Sequence, residues 1–138
     1  MRDNIVLSVV ARLLMPFILL FALYVQFHGE VSPGGGFQAG VIFASAFVLF
    51  VLVYGIDAAE GIIPDGFLRG GIAGGVLLYA GIGVLGLLLG SNFLDYNVLA
   101  ADPKNGQHLG IVLIELGVGT TVASVVTAVF YAFVRSKR

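Results

Sequence analysis

The sequence predicts an all-α integral membrane protein with four transmembrane helices and both termini in the cytoplasm. Seven Lys or Arg and eight Asp or Glu are the only charged residues among 138, or 11% against roughly 25% in a soluble domain. Apolar residues make up 59% of the chain, and the mean hydropathy is +1.04. This composition excludes a soluble enzyme domain, a disordered chain and a nucleic-acid-binding protein. Because cysteine is absent, it also excludes disulfides and thiolate metal sites.

Four long apolar stretches predict the four helices, because a helix needs ~20 apolar residues to cross about 30 Å of hydrocarbon. We expect spans at about residues 4–27, 37–56, 67–89 and 109–134 within a single membrane domain, residues 1–138. The apolar runs are continuous rather than alternating, which favours helices over barrel strands. The first run is too long for a signal peptide and no small-residue cleavage motif follows it, so we expect a retained helix.

Basic residues near the chain ends predict the orientation. Arg2 precedes the first span, and three basic residues lie within residues 135–138 after the last. Cytoplasmic flanks carry an excess of Lys and Arg, so both termini are expected in the cytoplasm. The loop at residues 57–66 would then be cytoplasmic as well, and residues 28–36 and 90–108 would lie outside.

Glycine is abundant, with 20 residues in the chain. A glycine inside a helix costs about 0.5–1 kcal/mol relative to alanine unless close packing compensates for it. Small residues recur at four-residue spacing, for example at Gly70, Gly74, Gly71 and Gly75. Such spacing is typical of helices that approach closely in membranes. The sequence leaves open whether these glycines pack the four helices together or pack against other subunits.

Two charges fall inside the predicted spans, where an ionised side chain costs ~2.5–3.5 kcal/mol near the bilayer centre and is therefore a candidate for function. Glu115 lies six residues beyond Leu109, toward the outer side. Its carboxylate could exchange a proton or bind Na⁺; alternatively, it is protonated or hydrogen-bonded and holds helices together. Arg12 lies nearer the cytoplasm. For Arg12 we expect a structural ion pair, with partners among Asp57, Glu60 and Asp65.

Residues 28–40 read His-Gly-Glu-Val-Ser-Pro-Gly-Gly-Gly-Phe-Gln-Ala-Gly. Pro33 and the three glycines after it are poor helix formers, so this segment predicts a tight turn between the first two spans. The second helix would then begin with free N–H groups and a partial positive charge. The candidate turn motif comprises His28, Pro33, Gly34, Gly35, Gly36, Phe37 and Gln38.

Other polar residues are expected at the outer surface. They are His28, Glu30, Asp95, Asp102 and His108. Together they could attract cations, but two histidines without helical ligand spacing do not define a metal site, so the metal ligands are left unknown. We expect solvated loop side chains here.

The pattern at residues 28–40 resembles the MnhB family, whose members are small subunits of Mrp-type multisubunit Na⁺/H⁺ antiporters. The resemblance extends over nearly the whole chain and includes Leu116, Gly117 and Val118 after the acidic Glu115. It implies a small accessory subunit in a prokaryotic cell membrane, next to large antiporter subunits that resemble the membrane arm of respiratory complex I. It further implies exchange of Na⁺ for protons, with no enzyme activity and no cofactor.

Several functional alternatives stay open at this level. Modules related to this family also occur in ion-translocating membrane-bound hydrogenases, so the host complex is not decided. Within a complex, the chain could contribute to an ion path through Glu115 or serve only as a structural assembly subunit. A self-contained small exporter is a third possibility. Expected partners are other membrane subunits and the lipid bilayer, and no nucleic acid.

Overall fold

The computed structural model describes residues 4–137, and that part of the chain contains five α-helices and one short 3-10 turn. They are α1 (Ile5–Phe27), α2 (Gly36–Tyr54), α3 (Ile56–Ile62), α4 (Asp65–Leu88), the 3-10 turn (Tyr96–Leu99) and α5 (Pro103–Ser136). All of the α-helices except α3 are long and apolar enough to cross a membrane. The predicted all-α class and the four candidate spans are confirmed. Arg2 and Arg138, which contributed to the predicted orientation, lie outside the described residues.

The four long helices form a row in the order α1, α2, α5, α4. Helix α5 packs against both α2 and α4, and α1 packs mainly against α2. Tyr54 at the end of α2 donates a hydrogen bond to the carbonyl oxygen of Ser8 in α1 (2.8 Å), and Arg135 in α5 binds Asp65 at the start of α4. These contacts place both described termini at one end of the molecule, here called the terminal end. The opposite end, with residues 28–35 and 89–102, is called the turn end.

Helix α5 begins earlier than the predicted span at 109–134. Asp102 caps it by accepting a hydrogen bond from the N–H of Lys104 (3.1 Å), and Pro103 occupies the first turn, where a missing N–H costs little. The helix has 34 residues, which at 1.5 Å per residue is about 51 Å. It therefore exceeds a hydrocarbon core of about 30 Å, and His108 belongs to this helix rather than to a loop.

The loop expected at residues 57–66 contains a helix. Gly55 has a positive φ of 89° and ends α2 at Tyr54, two residues before the predicted boundary. Helix α3 follows at once, and its Ile56 and Ala59 join a buried cluster around Tyr131 of α5. Hydropathy along the sequence does not predict α3, because a seven-residue helix is too short to give the signal of a membrane span.

Some glycines pack the helices of this chain together, and others do not. A methyl group on Gly40 would lie 2.7 Å from the carbonyl oxygen of Gly119, and one on Gly75 would lie 2.6 Å from a carbonyl oxygen of α5. These glycines permit close approach to α5. Gly70 and Gly74 face open space, with no atom of the described chain within 4 Å of a methyl group placed there.

Candidate functional site

The segment between α1 and α2 is a tight turn, as the sequence predicts. The N–H groups of Val31 and Ser32 both donate to the carbonyl oxygen of His28 (3.2 and 3.1 Å), and the Ser32 hydroxyl donates to the same oxygen (3.0 Å). The N–H of Gly35 donates to the carbonyl oxygen of Val25 (3.2 Å). The turn thereby occupies carbonyl groups at the end of α1 that have no partner within the helix.

Two glycines bring the start of α2 into direct contact with α5. Gly35 has a φ of 116°, in a region that side chains disfavour, and it precedes the first residue of α2. A methyl group on Gly36 would overlap the main-chain carbonyl oxygen of Glu115. Glycine at both positions therefore allows α2 to begin directly against α5 at Glu115.

The side chain of Glu115 points into the same turn. Its Oε1 is the first atom that a methyl group on Gly29 would overlap, and it would lie 3.2 Å from one on Gly35. Gly29, Gly35 and Gly36 together are called the glycine cradle. The carboxylate thus lies beside the first turn of α2, where unpaired N–H groups carry partial positive charge and Gly35 supplies no side-chain cap.

Glu115 is half-buried and lacks a cationic partner among residues 4–137. The ion pairs described in that range join His108 to Glu30 and Arg135 to Glu60 and Asp65. The partial positive charge of the helix N-terminus stabilises the ionised form of the carboxylate. A carboxylate within a span that has no cationic partner is a candidate to take up a proton or a small cation.

A second contact ties the turn to α5 nearer the surface. Nδ1 of His108 lies 2.7 Å from Oε2 of Glu30. His108 precedes Glu115 by seven residues along α5. The other histidine, His28, has its Nδ1 2.9 Å from the carbonyl oxygen of Tyr24, and the two rings stack at 4.0 Å. Both histidines have partners within the protein, and His108 keeps 68% of its side chain exposed, as the sequence had predicted for a solvated side chain.

Comparison with known proteins decides the family. A family model described as a domain related to the MnhB subunit of Na⁺/H⁺ antiporter matches residues 6–128, a range that includes the turn and Glu115. The chain belongs to the MnhB family. Relatives in the Staphylococcus aureus strains Newman, JH1 and USA300, each provisionally named antiporter subunit mnhB2, are 35% identical over 133 residues. That alignment covers 94% of this chain and 94% of each relative.

Family membership confirms the resemblance inferred from residues 28–40. It identifies this MnhB-family chain as a membrane component of a multisubunit transporter rather than an enzyme, and it supports a role as a Na⁺/H⁺ antiporter subunit.

The structure separates Arg12 from Glu115. The guanidinium of Arg12 lies over the ring of Tyr54, 5.9 Å from its centre. Tyr54 ends α2 and Gly36 begins it, so the two charges lie near opposite ends of a 19-residue helix, about 27 Å apart along its axis. Glu60 and Asp65, which were expected as partners for Arg12, instead bind Arg135 at 2.7–2.9 Å.

The turn motif of the MnhB-family chain divides into inner and outer residues. Gly35 and Gly36 are buried against Glu115, whereas Pro33 and Phe37 are exposed, the latter by 61%. Gln38 is also exposed, although its Oε1 would lie 3.7 Å from a methyl group on Gly35.

Sequence reasoning missed one polar residue, Gln26, which is only 5% exposed near the end of α1. Its position within a largely apolar span is the signal by which the sequence could have identified it.

Proposed function

We propose that this MnhB-family chain is a non-catalytic subunit of a Na⁺/H⁺ antiporter in which Glu115 and the glycine cradle form an ion-handling site beside the ion path. The observation that carries the proposal is the position of the Glu115 carboxylate against Gly29 and Gly35, with no cation paired to it among residues 4–137. Larger subunits, similar to the membrane arm of respiratory complex I, carry proton translocation.

The chemistry of the site suits the two transported ions. A carboxylate inside a span is stabilised when it gains a proton or a cation, because either removes the cost of an unpaired charge in a medium of low dielectric. A carboxylate oxygen is a hard ligand of the kind that Na⁺ takes, and Glu115 supplies one beside the glycine cradle. Na⁺ and H⁺ are transported ions in this proposal, and the subunit requires no cofactor.

The proposal includes a place for the chain in the cell. Both termini face the cytoplasm of a prokaryote and the glycine cradle opens toward the outside, since the basic residues near both termini favour the cytoplasmic side. Residues 1–138 act as one membrane domain. The host is an Mrp-type antiporter, with a membrane-bound hydrogenase as the alternative. Large antiporter genes beside this one would favour the first host, and nickel–iron hydrogenase genes would favour the second.

A purely structural role is the main rival, and the contact between Gly36 and the main chain of Glu115 favours it. In that case the carboxylate only holds α5 against the turn or against a neighbouring subunit. The two roles differ in whether the charge of Glu115 is needed after assembly is complete.

Glu115→Gln separates the two roles when it is placed in the complete complex. The amide keeps the size of the side chain, but it cannot take up a proton, and it binds Na⁺ more weakly than a carboxylate does. We expect assembly to persist and Na⁺-dependent antiport in everted vesicles to fall by about tenfold, the effect of losing about 1.4 kcal/mol of ion binding. We also expect an altered pH profile.

Glu115→Asp and Glu60→Gln are the controls for this experiment. Glu115→Asp retains the charge and should recover part of the antiport activity. Glu60→Gln removes an exposed carboxylate at the terminal end and should leave the pH profile unchanged. Normal antiport with a normal pH profile in Glu115→Gln would reject the ion-handling role. Failure of that variant to assemble, with rescue of assembly alone by Glu115→Asp, would support the structural role.

A further inference from the structure

The row of helices leaves an open groove on one face of the chain. Helices α1 and α4 form its walls, and α2 and α5 form its floor. It encloses a cavity of about 320 Å³ whose lining includes Leu23 and Gln26 of α1, Phe43 of α2, Phe67 of α4 and Thr120 of α5. The lining is apolar apart from Gln26 and three hydroxyl residues of α5.

Gln26 is the largest polar side chain in the groove, and it lacks a partner among residues 4–137. It is 5% exposed, it lines the cavity, and its Oε1 lies beside Gly119 on the floor. Within residues 4–137 its carboxamide makes no hydrogen bond, and its polar atoms are not sealed inside the chain. An amide facing a hydrocarbon environment without a partner is costly, so the groove is complete only when its occupant offers a donor or an acceptor.

The wall formed by α4 carries glycines that the fold of this chain does not use. Gly71 faces Ser124 and Gly75 faces α5, but Gly70 and Gly74 meet nothing within 4 Å. At 100° per residue, Gly70 and Gly74 lie about 60° and 20° around the helix axis from Phe67, which lines the groove. The two glycines do not line the cavity itself; they border it on the side of Phe67, where the missing side chains permit a backbone to approach closely.

We propose that this groove seats a transmembrane helix of another subunit of the antiporter complex. The backbone of that helix packs against Gly70 and Gly74, and one of its polar side chains, such as a serine, asparagine or glutamine, hydrogen-bonds to the carboxamide of Gln26. A lipid chain offers Gln26 no hydrogen bond and gains no close packing from the missing side chains. Membership of a multisubunit transporter family supplies neighbouring helices.

The first test introduces bulk at Gly74 of the tagged chain in the complete complex. Gly74→Leu fits the fold of this chain, because open space lies beside it, but it would block a seated helix. We expect a normal amount of the chain in the membrane and about a tenfold loss of co-purified subunits. The control is Ala73→Leu, an exposed position at the same depth and about 100° further from the groove, which should leave the complex intact. An intact complex with Gly74→Leu would overturn the proposal.

A second test uses the absence of cysteine from the natural chain and does not depend on how Gly74→Leu folds. Thr120→Cys places one thiol on the groove floor, and Val125→Cys places one about 140° around α5. Each is labelled with a photoreactive maleimide in membranes that contain the whole complex, with the cysteine-free chain as the blank.

We expect Thr120→Cys to form an adduct with a transmembrane segment of another subunit, and Val125→Cys to form none with that segment. An adduct with lipid alone, or modification of Thr120→Cys by a water-soluble thiol reagent without a protein adduct, would show a lipid or water occupant and overturn the proposal. Neither test measures antiport, so their outcomes are independent of the role of Glu115.

Discussion

The charged groups Arg135, at the terminal end, and Glu115, at the turn end, have different surroundings. At the terminal end, the guanidinium of Arg135 binds both Glu60 and Asp65, at an exposed site beside the buried Tyr131. At the turn end, the carboxylate of Glu115 lies against glycines and has no such partner among residues 4–137. Paired, exposed charges cost little and contribute little, whereas an unpaired carboxylate in a span is retained where it has a role. The difference supports the proposal that ion handling belongs to the turn end rather than to the terminal end.

Replacement of Tyr131 by alanine should have the largest effect on stability. Tyr131 is 1% exposed and forms the centre of the cluster between α3 and α5. Removal of a buried aromatic ring typically costs about 3–5 kcal/mol. The amount of tagged chain that stays soluble after heating in detergent should fall sharply for Tyr131→Ala. Tyr131→Phe keeps the ring and should be nearly neutral, and equal losses in both variants would contradict a packing role.

Gly36→Ala should have the next largest effect, at the turn end. Its methyl group would overlap the main-chain carbonyl oxygen of Glu115, so α2 and α5 must move apart. We expect a loss of about 1–3 kcal/mol, the usual range for an overpacked site, measured by the same heating assay. Gly74→Ala is the matched control: open space surrounds it, and the change to alanine should stabilise α4 by up to about 1 kcal/mol. If both variants behaved alike, the cradle would not be as close to α5 as described.

Arg135→Gln tests how much the paired charges at the terminal end contribute. Arg135 and both of its partners are substantially exposed, so water and salt screen their attraction. We expect a decrease in thermal stability smaller than that of Gly36→Ala, and one that disappears at high salt concentration. A large decrease that persists in high salt would show that the ion pairs, rather than the Tyr131 cluster, hold this end together.

Asp95, in the loop after α4, should make the smallest contribution to stability. This contribution should be visible only in how stability depends on pH. The Ser91 hydroxyl and then the N–H of Asn97 donate hydrogen bonds to its carboxylate, which lowers the pKa of Asp95. A lowered folded-state pKa stabilises the fold above the unfolded-state value of about 3.9, and this stabilisation is lost as the pH falls through the folded-state pKa.

Amide hydrogen exchange of residues 91–99 should therefore speed up as the pH is lowered through this acidic range, after correction for intrinsic rates. Asp95→Asn should remove this additional pH dependence. Ser91→Ala should move the pKa of Asp95 back toward its ordinary value. An unchanged pKa in Ser91→Ala would assign the effect to Asn97 alone.

Much of the fold follows from composition and local pattern. The continuous apolar runs predict four spans, and the helices begin or end within two residues of those predictions except at the start of α5. That start depends on Asp102 as a cap and Pro103 in the first turn, and a hydropathy profile does not register either residue. The sequence did not predict helix α3 for a related reason: its stability comes from packing on Tyr131 rather than from its own length.

The sequence by itself determined the membrane class, the number of predicted spans and the turn at residues 28–36, because each depends on local composition. It also singled out Glu115 as an acidic residue inside a predicted span, because a charge in lipid is costly. The tertiary structure decided that Glu115 lies inside that turn and that Arg135 takes two of the three partners expected for Arg12, Glu60 and Asp65. It also decided that Gly70 faces open space while Gly71 faces α5. These relations depend on how each helix is rotated and which neighbours it meets, which the pattern along one chain leaves free.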